Sequence, residues 1–310
     1  MILSVDLNPI LRRRFYVKDL NIDQSNIKSS RKLVFPDGLG IELALLAQLL
    51  GIESKISGFV GGLNGENIKT LLDESDFNHE FVRIREDSTE IIDIVSNKRT
   101  ISIGEIAPKV SKDDVNEFYR VYKENLNIYP NIALIGQVPS NLEEDVIYQL
   151  ALMGRKWGRR VYLGYNNSFN QNTLEASPFM CILSIKDLED ITKLKLDYES
   201  EIIKATQYLL DKDIIFVVVD MGVRGVLVIN KDRGYSLSIP PLENKDKKLN
   251  YGQMIAGFVL GFEKGYEIEI IVKLALASGL IHCYDFGDDI EMSDIKSLMN
   301  RIEVRGFNNI

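Results

Sequence analysis

Histidine and cysteine are scarce in this chain. Its 310 residues hold two histidines (His79, His282) and two cysteines (Cys181, Cys283), far apart and in no metal-ligand spacing. That scarcity excludes a zinc site, a histidine-based triad and a disulfide framework for want of raw material. Long apolar runs are missing too, since none approaches the roughly 20 residues of a bilayer span. The opening residues, Met1 to Leu7, lack the basic start of a signal peptide and read as a strand. Positive charge is in deficit: 37 Lys and Arg stand against 45 Asp and Glu, a net charge of -8. Such a surface attracts polyanions poorly, so small solutes are expected as partners, with no nucleic acid and no membrane. These features together predict a cytoplasmic protein in a reducing compartment.

What is present is enough apolar material, 45% of the residues, for a large buried core. At about 150 residues per domain the length suits one large α/β domain or two ordinary ones. Short strand-like runs at 2–5, 55–59, 132–135, 161–163 and 214–219 alternate with helical periodicity at 39–50, 112–125 and 142–157. Further helices are expected from Gly252, across 267–283 and across 293–302. Alternation of this kind predicts a mostly parallel central sheet with helices on both faces. Two segments, 15–33 and 91–103, break the rhythm with strands and turns, and predict a small β-rich flap standing off the main sheet. With no linker and no internal repeat, residues 1–310 read as a single domain. The charged stretch 243–248 reads as an irregular connection into the helix at Gly252.

Several local patterns occur in a telling order. Leu7-Asn8-Pro9-Ile10-Leu11-Arg12 follows the first strand, and Asp37-Gly38-Leu39-Gly40-Ile41-Glu42 opens the first helix. Gly58-Phe59-Val60-Gly61-Gly62, Ile135-Gly136-Gln137-Val138-Pro139, Asp220-Met221-Gly222-Val223-Arg224-Gly225 and Ala256-Gly257-Phe258 come after. In this order they resemble the motifs LNPAIDRT, GGKGIN, SGSLP, SLGxxG and GAGDSMVAGF of PfkB-type sugar kinases. Those kinases belong to the ribokinase-like superfamily, and the similarity is nearest the branch containing 1-phosphofructokinase and tagatose-6-phosphate kinase. It runs from end to end. It implies a ribokinase-like three-layer α/β/α sandwich, with the flap as a substrate lid from about 12–34 and 89–104. ATP, Mg²⁺ and a sugar phosphate are implied as cofactors and substrate, and a homodimer through the lid strands is compatible with the family.

Carried over position by position, the resemblance places substrate contacts at Arg12, Asp37, Gly38, Gly40 and Glu42, and nucleotide contacts at Asp187, Asp220, Gly222, Gly225, Ser278 and Gly279. The family's catalytic Asp falls on Gly252, and the Gly-Ala-Gly before it falls on Leu249, Asn250 and Tyr251. No catalytic residue is therefore intact, and Asp246, the nearest acid upstream, falls at the opening of the signature. Arg12 replaces a sugar-binding Asp, which exchanges an acceptor for a donor that attracts anions. Leu39, Glu42, Ile135, Gln137, Thr89 and Ile91 likewise replace polar partners of the sugar phosphate.

Simpler readings stand beside these. Gly222 and Gly225 suit a tight turn between strands. The run Arg12-Arg13-Arg14 suits a solvated lid edge that discourages strand pairing. His79 suits a strand edge, and His282 and Cys283 suit a helix end. Three functions remain open: a degenerate PfkB-type protein binding a small anionic ligand or a partner, a working hexose-phosphate kinase with a rearranged loop, and a structural partner pairing through its lid. A carboxylate within reach of a sugar hydroxyl above Gly252 is the feature that favours the kinase.

Overall fold

The computed structural model describes residues 1–20, 26–142, 145–164, 171–242, 248–283 and 290–308. Asp246, with the rest of 243–247, lies outside the described residues, as do 21–25 of the flap and 143–144 of one expected helix.

The first half of the chain runs β1 (Ile2–Asp6), β2 (Ile10–Tyr16), β3 (Arg31–Asp37), α1 (Leu39–Leu49), β4 (Ser54–Gly61), α2 (Gly62–Glu74), β5 (His79–Ile84), β6 (Glu90–Val95), β7 (Thr100–Gly104), α3 (Lys112–Leu126), β8 (Asn131–Ile135) and α4 (Val146–Lys156). Then follow β9 (Arg160–Gly164), β10 (Met180–Ser184), α5 (Ile185–Thr192), α6 (Glu199–Leu210), β11 (Phe216–Asp220), β12 (Val226–Ile229), β13 (Arg233–Leu237), α7 (Tyr251–Lys264), α8 (Ile268–Leu280), α9 (Met292–Arg301) and β14 (Val304–Asn308).

Ten strands form the main sheet in the order β14-β13-β12-β11-β10-β9-β8-β1-β4-β5, parallel from β5 to β11 and antiparallel beyond. Both faces are buried, and the two-residue period of a strand divides its apolar side chains between two cores. Leu3, Val5, Ile132 and Leu134 join the core beneath α3 to α6, whereas Ile2, Ala133 and Ile135 join the one beneath α1, α7, α8 and α9. The expected three-layer α/β/α arrangement is thus present. The edge strand β14 carried no sequence signal, because Val304–Asn308 is half polar and depends on pairing with β13.

The two irregular segments supply a second, four-stranded sheet in the order β3-β2-β6-β7. It consists of two antiparallel hairpins joined by parallel pairing of β2 with β6. Here the structure corrects one reading of the arginine run. Strand β2 is interior, and its arginines are tied down: Arg12 to Asp37 and Asp93, Arg13 to Glu90, Arg14 to Asp93.

One topological feature positions the site. From β1 the chain moves to β4 and β5 on one side of the sheet, then returns to build β8 through β11 on the other. Ligands of open α/β sheets collect outside the carboxyl ends of the strands at such a switch point. Asp6 and Ile135, the paired last residues of β1 and β8, mark it.

Candidate active site

A cavity of about 720 Å³ opens at the switch point, lined by Asp6, Asn8, Arg12, Asp37, Glu42 and Gly136 among others. Asp6 is its deepest group, 1% exposed at the end of the fully buried β1. Its Oδ2 accepts from Gly40 N at 3.0 Å, and its Oδ1 accepts from Asn8 N at 3.4 Å. Burial outweighs these two hydrogen bonds and pushes the carboxyl up to about 7. Three glycines make room for it: a Cβ on Gly38, Gly40 or Gly136 would collide with the Asp6 side chain. Gly38 and Gly40 thus flank the cavity as the resemblance implies, yet what they shelter is this chain's own carboxylate.

Glu42, in the first turn of α1, is the second perturbed acid. Burial and the nearby charge of Asp37 push it up to about 7, against a hydrogen bond from Asn250 Nδ2. Arg12 lines the same wall. Burial opposes its charge, but Asp37 and Asp93 outweigh that effect and raise its pKa. Its guanidinium is shared between Asp37 and both Asp93 oxygens, the latter at 3.0 Å. Arg12 is therefore charge-neutralised in place, and the cavity wall carries a surplus of carboxylate.

Beside this cavity lies the N-terminus of α7. Asn250 caps it, its Oδ1 accepting from Gln253 N at 2.9 Å while its Nδ2 donates to Glu42. The cap occupies one backbone N–H of this helix start, that of Gln253. Gly252, the second residue of the helix, lies so close to α1 that a Cβ there would overlap the Leu39 carbonyl oxygen. A side chain of any kind at 252 meets backbone.

On the other side of the α7 N-terminus is a second cavity of about 470 Å³, mostly apolar, lined by Asp220, Gly222, Ile239, Pro241, Leu249 and Leu280 among others. Asp220 Oδ1 accepts from Gly222 N at 2.9 Å, and Oδ2 accepts from the Tyr251 hydroxyl at 3.2 Å. Burial raises the pKa of both groups, and Asp220 adds to the rise at Tyr251. This bond ties the start of α7 to the end of β11.

The remaining expected residues fall in other settings. Gly222 and Gly225 bracket a single 3-10 turn that joins the antiparallel pair β11 and β12. Gly225 needs to be glycine, with φ +109° and the Leu237 carbonyl against its open face. Ser184 caps α5, and Asp187 completes the reciprocal capping box: its Oδ2 accepts from Ser184 N at 3.0 Å and its N–H donates to Ser184 Oγ at 3.1 Å. Ser278 is buried against Gly257 between α7 and α8, and the carbonyl of Gly279 accepts from Asn250 N at 2.9 Å. His79 opens the edge strand β5 and meets Asp73 at 2.9 Å, while His282 follows α8 with Nδ1 3.1 Å from Gln253 Oε1. Among the described residues no group of three or more His, Cys, Asp or Glu could hold a metal ion, and no helix is long and apolar enough to cross a membrane.

Sequence reasoning missed Asp6 and Asn8 as parts of this site, and placed Asn250 in the catalytic loop without its capping role. For Asp6 a signal existed: a lone acid ends an otherwise apolar first strand, the location where open α/β sheets place ligand contacts.

A doubly wound sheet of this order, with a small sheet over its strand ends and a cavity on each side of a late helix N-terminus, defines the ribokinase-like class. Within it, the chain belongs to the pfkB family of carbohydrate kinases, whose profile matches residues 16–294. It is 27% identical over 310 residues to the 1-phosphofructokinase of Borreliella burgdorferi (strain B31), covering 98% of each chain. It is 26% identical over 283 residues to that of Bacillus subtilis (strain 168), covering 90% of this chain and 91% of that one. Phosphofructokinase-2 of Escherichia coli, solved in complex with potassium, superposes with a TM-score of 0.85 at 17% identity, covering 96% of this chain and 98% of that one. The same enzyme has been solved in a tetrameric inhibited form.

Proposed function

We propose that this pfkB-family chain binds a small hydroxylated ligand in the cavity at the strand ends and lacks efficient sugar kinase activity. One observation carries the reading: Gly252, which the resemblance aligns with the family's catalytic acid, packs on the Leu39 carbonyl where no carboxylate side chain fits. The cap on the Gln253 N–H and the bond from the Tyr251 hydroxyl to Asp220 support it, since both tie up polar groups at the start of α7. The family implies Mg²⁺ and ATP. The apolar second cavity suits a nucleobase, but Asp220 on its wall and Asp187 engaged in its capping box do not suit Mg-triphosphate. A cytoplasmic setting and a single working domain closed by the small sheet belong to the same proposal. Pairing of two copies through that sheet is supported by its edge strand β7, in which Ile103 is 60% exposed and just after which Ile106 is 88% exposed.

A second reading has an observation of its own. Glu42 is a carboxylate at the junction of the cavity and the α7 N-terminus, held near neutrality, where a general base works best. It would serve a kinase of a phosphorylated hexose with a displaced base. ATP consumption with fructose 1-phosphate, fructose 6-phosphate and tagatose 6-phosphate, run beside the Bacillus subtilis relative, separates the two. Turnover is expected to fall at least about 10²-fold below that relative, the scale of a lost general base. Comparable turnover that disappears in Glu42→Gln would establish the second reading in place of the first.

A further inference from the structure

The cavity at the strand ends makes two separate demands on its occupant. Its wall carries carboxylates from three elements, Asp6 ending β1, Asp37 ending β3 and Glu42 in α1. Arg12 is the one cation among the lining residues, and Asp37 and Asp93 already hold its guanidinium. Repulsion among these acids adds to burial in raising Asp6 and Glu42, so the cavity favours whatever brings positive charge into it.

Asn8 makes the second demand. It lines the same cavity and is 3% exposed. Its Oδ1 accepts from Thr89 Oγ1 at 3.1 Å, while its Nδ2 has no hydrogen-bond partner among the described residues. An amide donor withheld from water and left unpaired is costly, and an acceptor oxygen from a ligand relieves it. The occupant therefore presents both a cation and a neutral oxygen. A phosphorylated sugar supplies the oxygen but brings negative charge against the three acids. The volume of about 720 Å³ is ample for a hexose.

We propose that this cavity binds an amino sugar, its ammonium against the acidic wall to which Asp6, Asp37 and Glu42 contribute and a hydroxyl oxygen accepting from Asn8 Nδ2. The proposal rests on the reading of the chain as a sugar-binding family member and adds the charge of the ligand. Phosphorylated sugars are the class it discriminates against.

Titration calorimetry at pH 7 with glucosamine, glucose and fructose 1-phosphate tests it. Glucosamine is expected to bind about tenfold or more tighter than glucose, as one ion contact in a partly buried site provides, and fructose 1-phosphate most weakly. In Glu42→Gln the ratio of glucosamine to glucose affinity is expected to shrink, because the variant removes a carboxylate from the wall that faces the ammonium. Should that variant fail to fold, the wild-type ratio decides alone. Equal or weaker binding of the amine than of glucose, no binding of either, or tightest binding of fructose 1-phosphate overturns the proposal. ATP consumption measured on the same three sugars keeps the two ideas apart: turnover counts against the non-kinase reading and leaves the amine preference standing.

Discussion

Gly252→Asp, which puts an acid where the motif resemblance sets the family's catalytic Asp, is expected to leave ATP-dependent turnover unchanged and to destabilise the protein by about 3 kcal/mol or more. Aspartate at the second position of a helix ordinarily helps, by about 0.3–1 kcal/mol from the macrodipole plus a few tenths from replacing glycine. Those gains are outweighed here. The new Cβ would overlap the Leu39 carbonyl oxygen, and the Asn250 side-chain oxygen lies 3.3 Å from it, so the carboxylate enters a buried spot facing acceptors. Backbone on both sides prevents easy relief, because Leu39 opens α1 and Gly252 sits within α7. Gly252→Ala separates the two contributions, since it retains the overlap without the charge. Urea denaturation midpoints and ATP-consumption rates of the three proteins check the prediction. Recovery of turnover toward that of an intact relative, or an unchanged midpoint for Gly252→Asp, would show that α1 and α7 are free to part.

Stability is expected to fall as pH rises from 5 to 8. Asp6 and Glu42 have folded-state pKa values raised to about 7, above the ordinary carboxylate values they regain on unfolding. Between those limits the folded chain holds protons that the unfolded chain has released, so each pH unit of increase favours unfolding. Their contribution is complete at low pH and is lost as pH passes through about 7. For the fully buried Asp6 the loss across this window is on the order of 2–3 kcal/mol, and Glu42 acts in the same direction. Glu80 and Asp93, whose pKa values are lowered, contribute the opposite slope, but only in the acid range below their ordinary values. Guanidinium denaturation midpoints at pH 5, 6, 7 and 8 measure the effect. Asp6→Asn removes one titration while retaining an acceptor for Gly40 N–H, and is expected to flatten the profile and to exceed the wild type in stability at pH 8. A wild-type midpoint that stays level or rises across this range would contradict the buried setting of both acids.

The scaffold was legible in the sequence because its signals are local and repeated. The helix expected at 39–50 is α1, the one at 112–125 is α3, and the fully apolar strand of 2–5 is the centre of the sheet. The strand expected at 214–219 begins two residues later as β11, since pairing with β10 and not apolarity sets its start. The motifs carried the family in the same way, through order and spacing. Arg12 was legible as a residue and illegible as a charge: its anion-attracting character depends on what faces it, and Asp93, far along the chain on β6, was invisible from the neighbourhood of Arg12.

By itself, then, the sequence determined the α/β class, the family, the scarcity of metal ligands and the glycine at position 252. These are properties of residue type and short-range pattern, which survive without knowing what touches what. Only the tertiary structure decided that Leu39 closes the space a carboxylate at 252 would need, and that Asn250 caps α7 and reaches Glu42. It also decided that three glycines surround Asp6 and that the arginine run is neutralised within a sheet. Each of these depends on distance between residues remote in the chain. Distance sets burial, and burial sets whether a charge attracts a ligand, keeps a proton or is already matched by its neighbours.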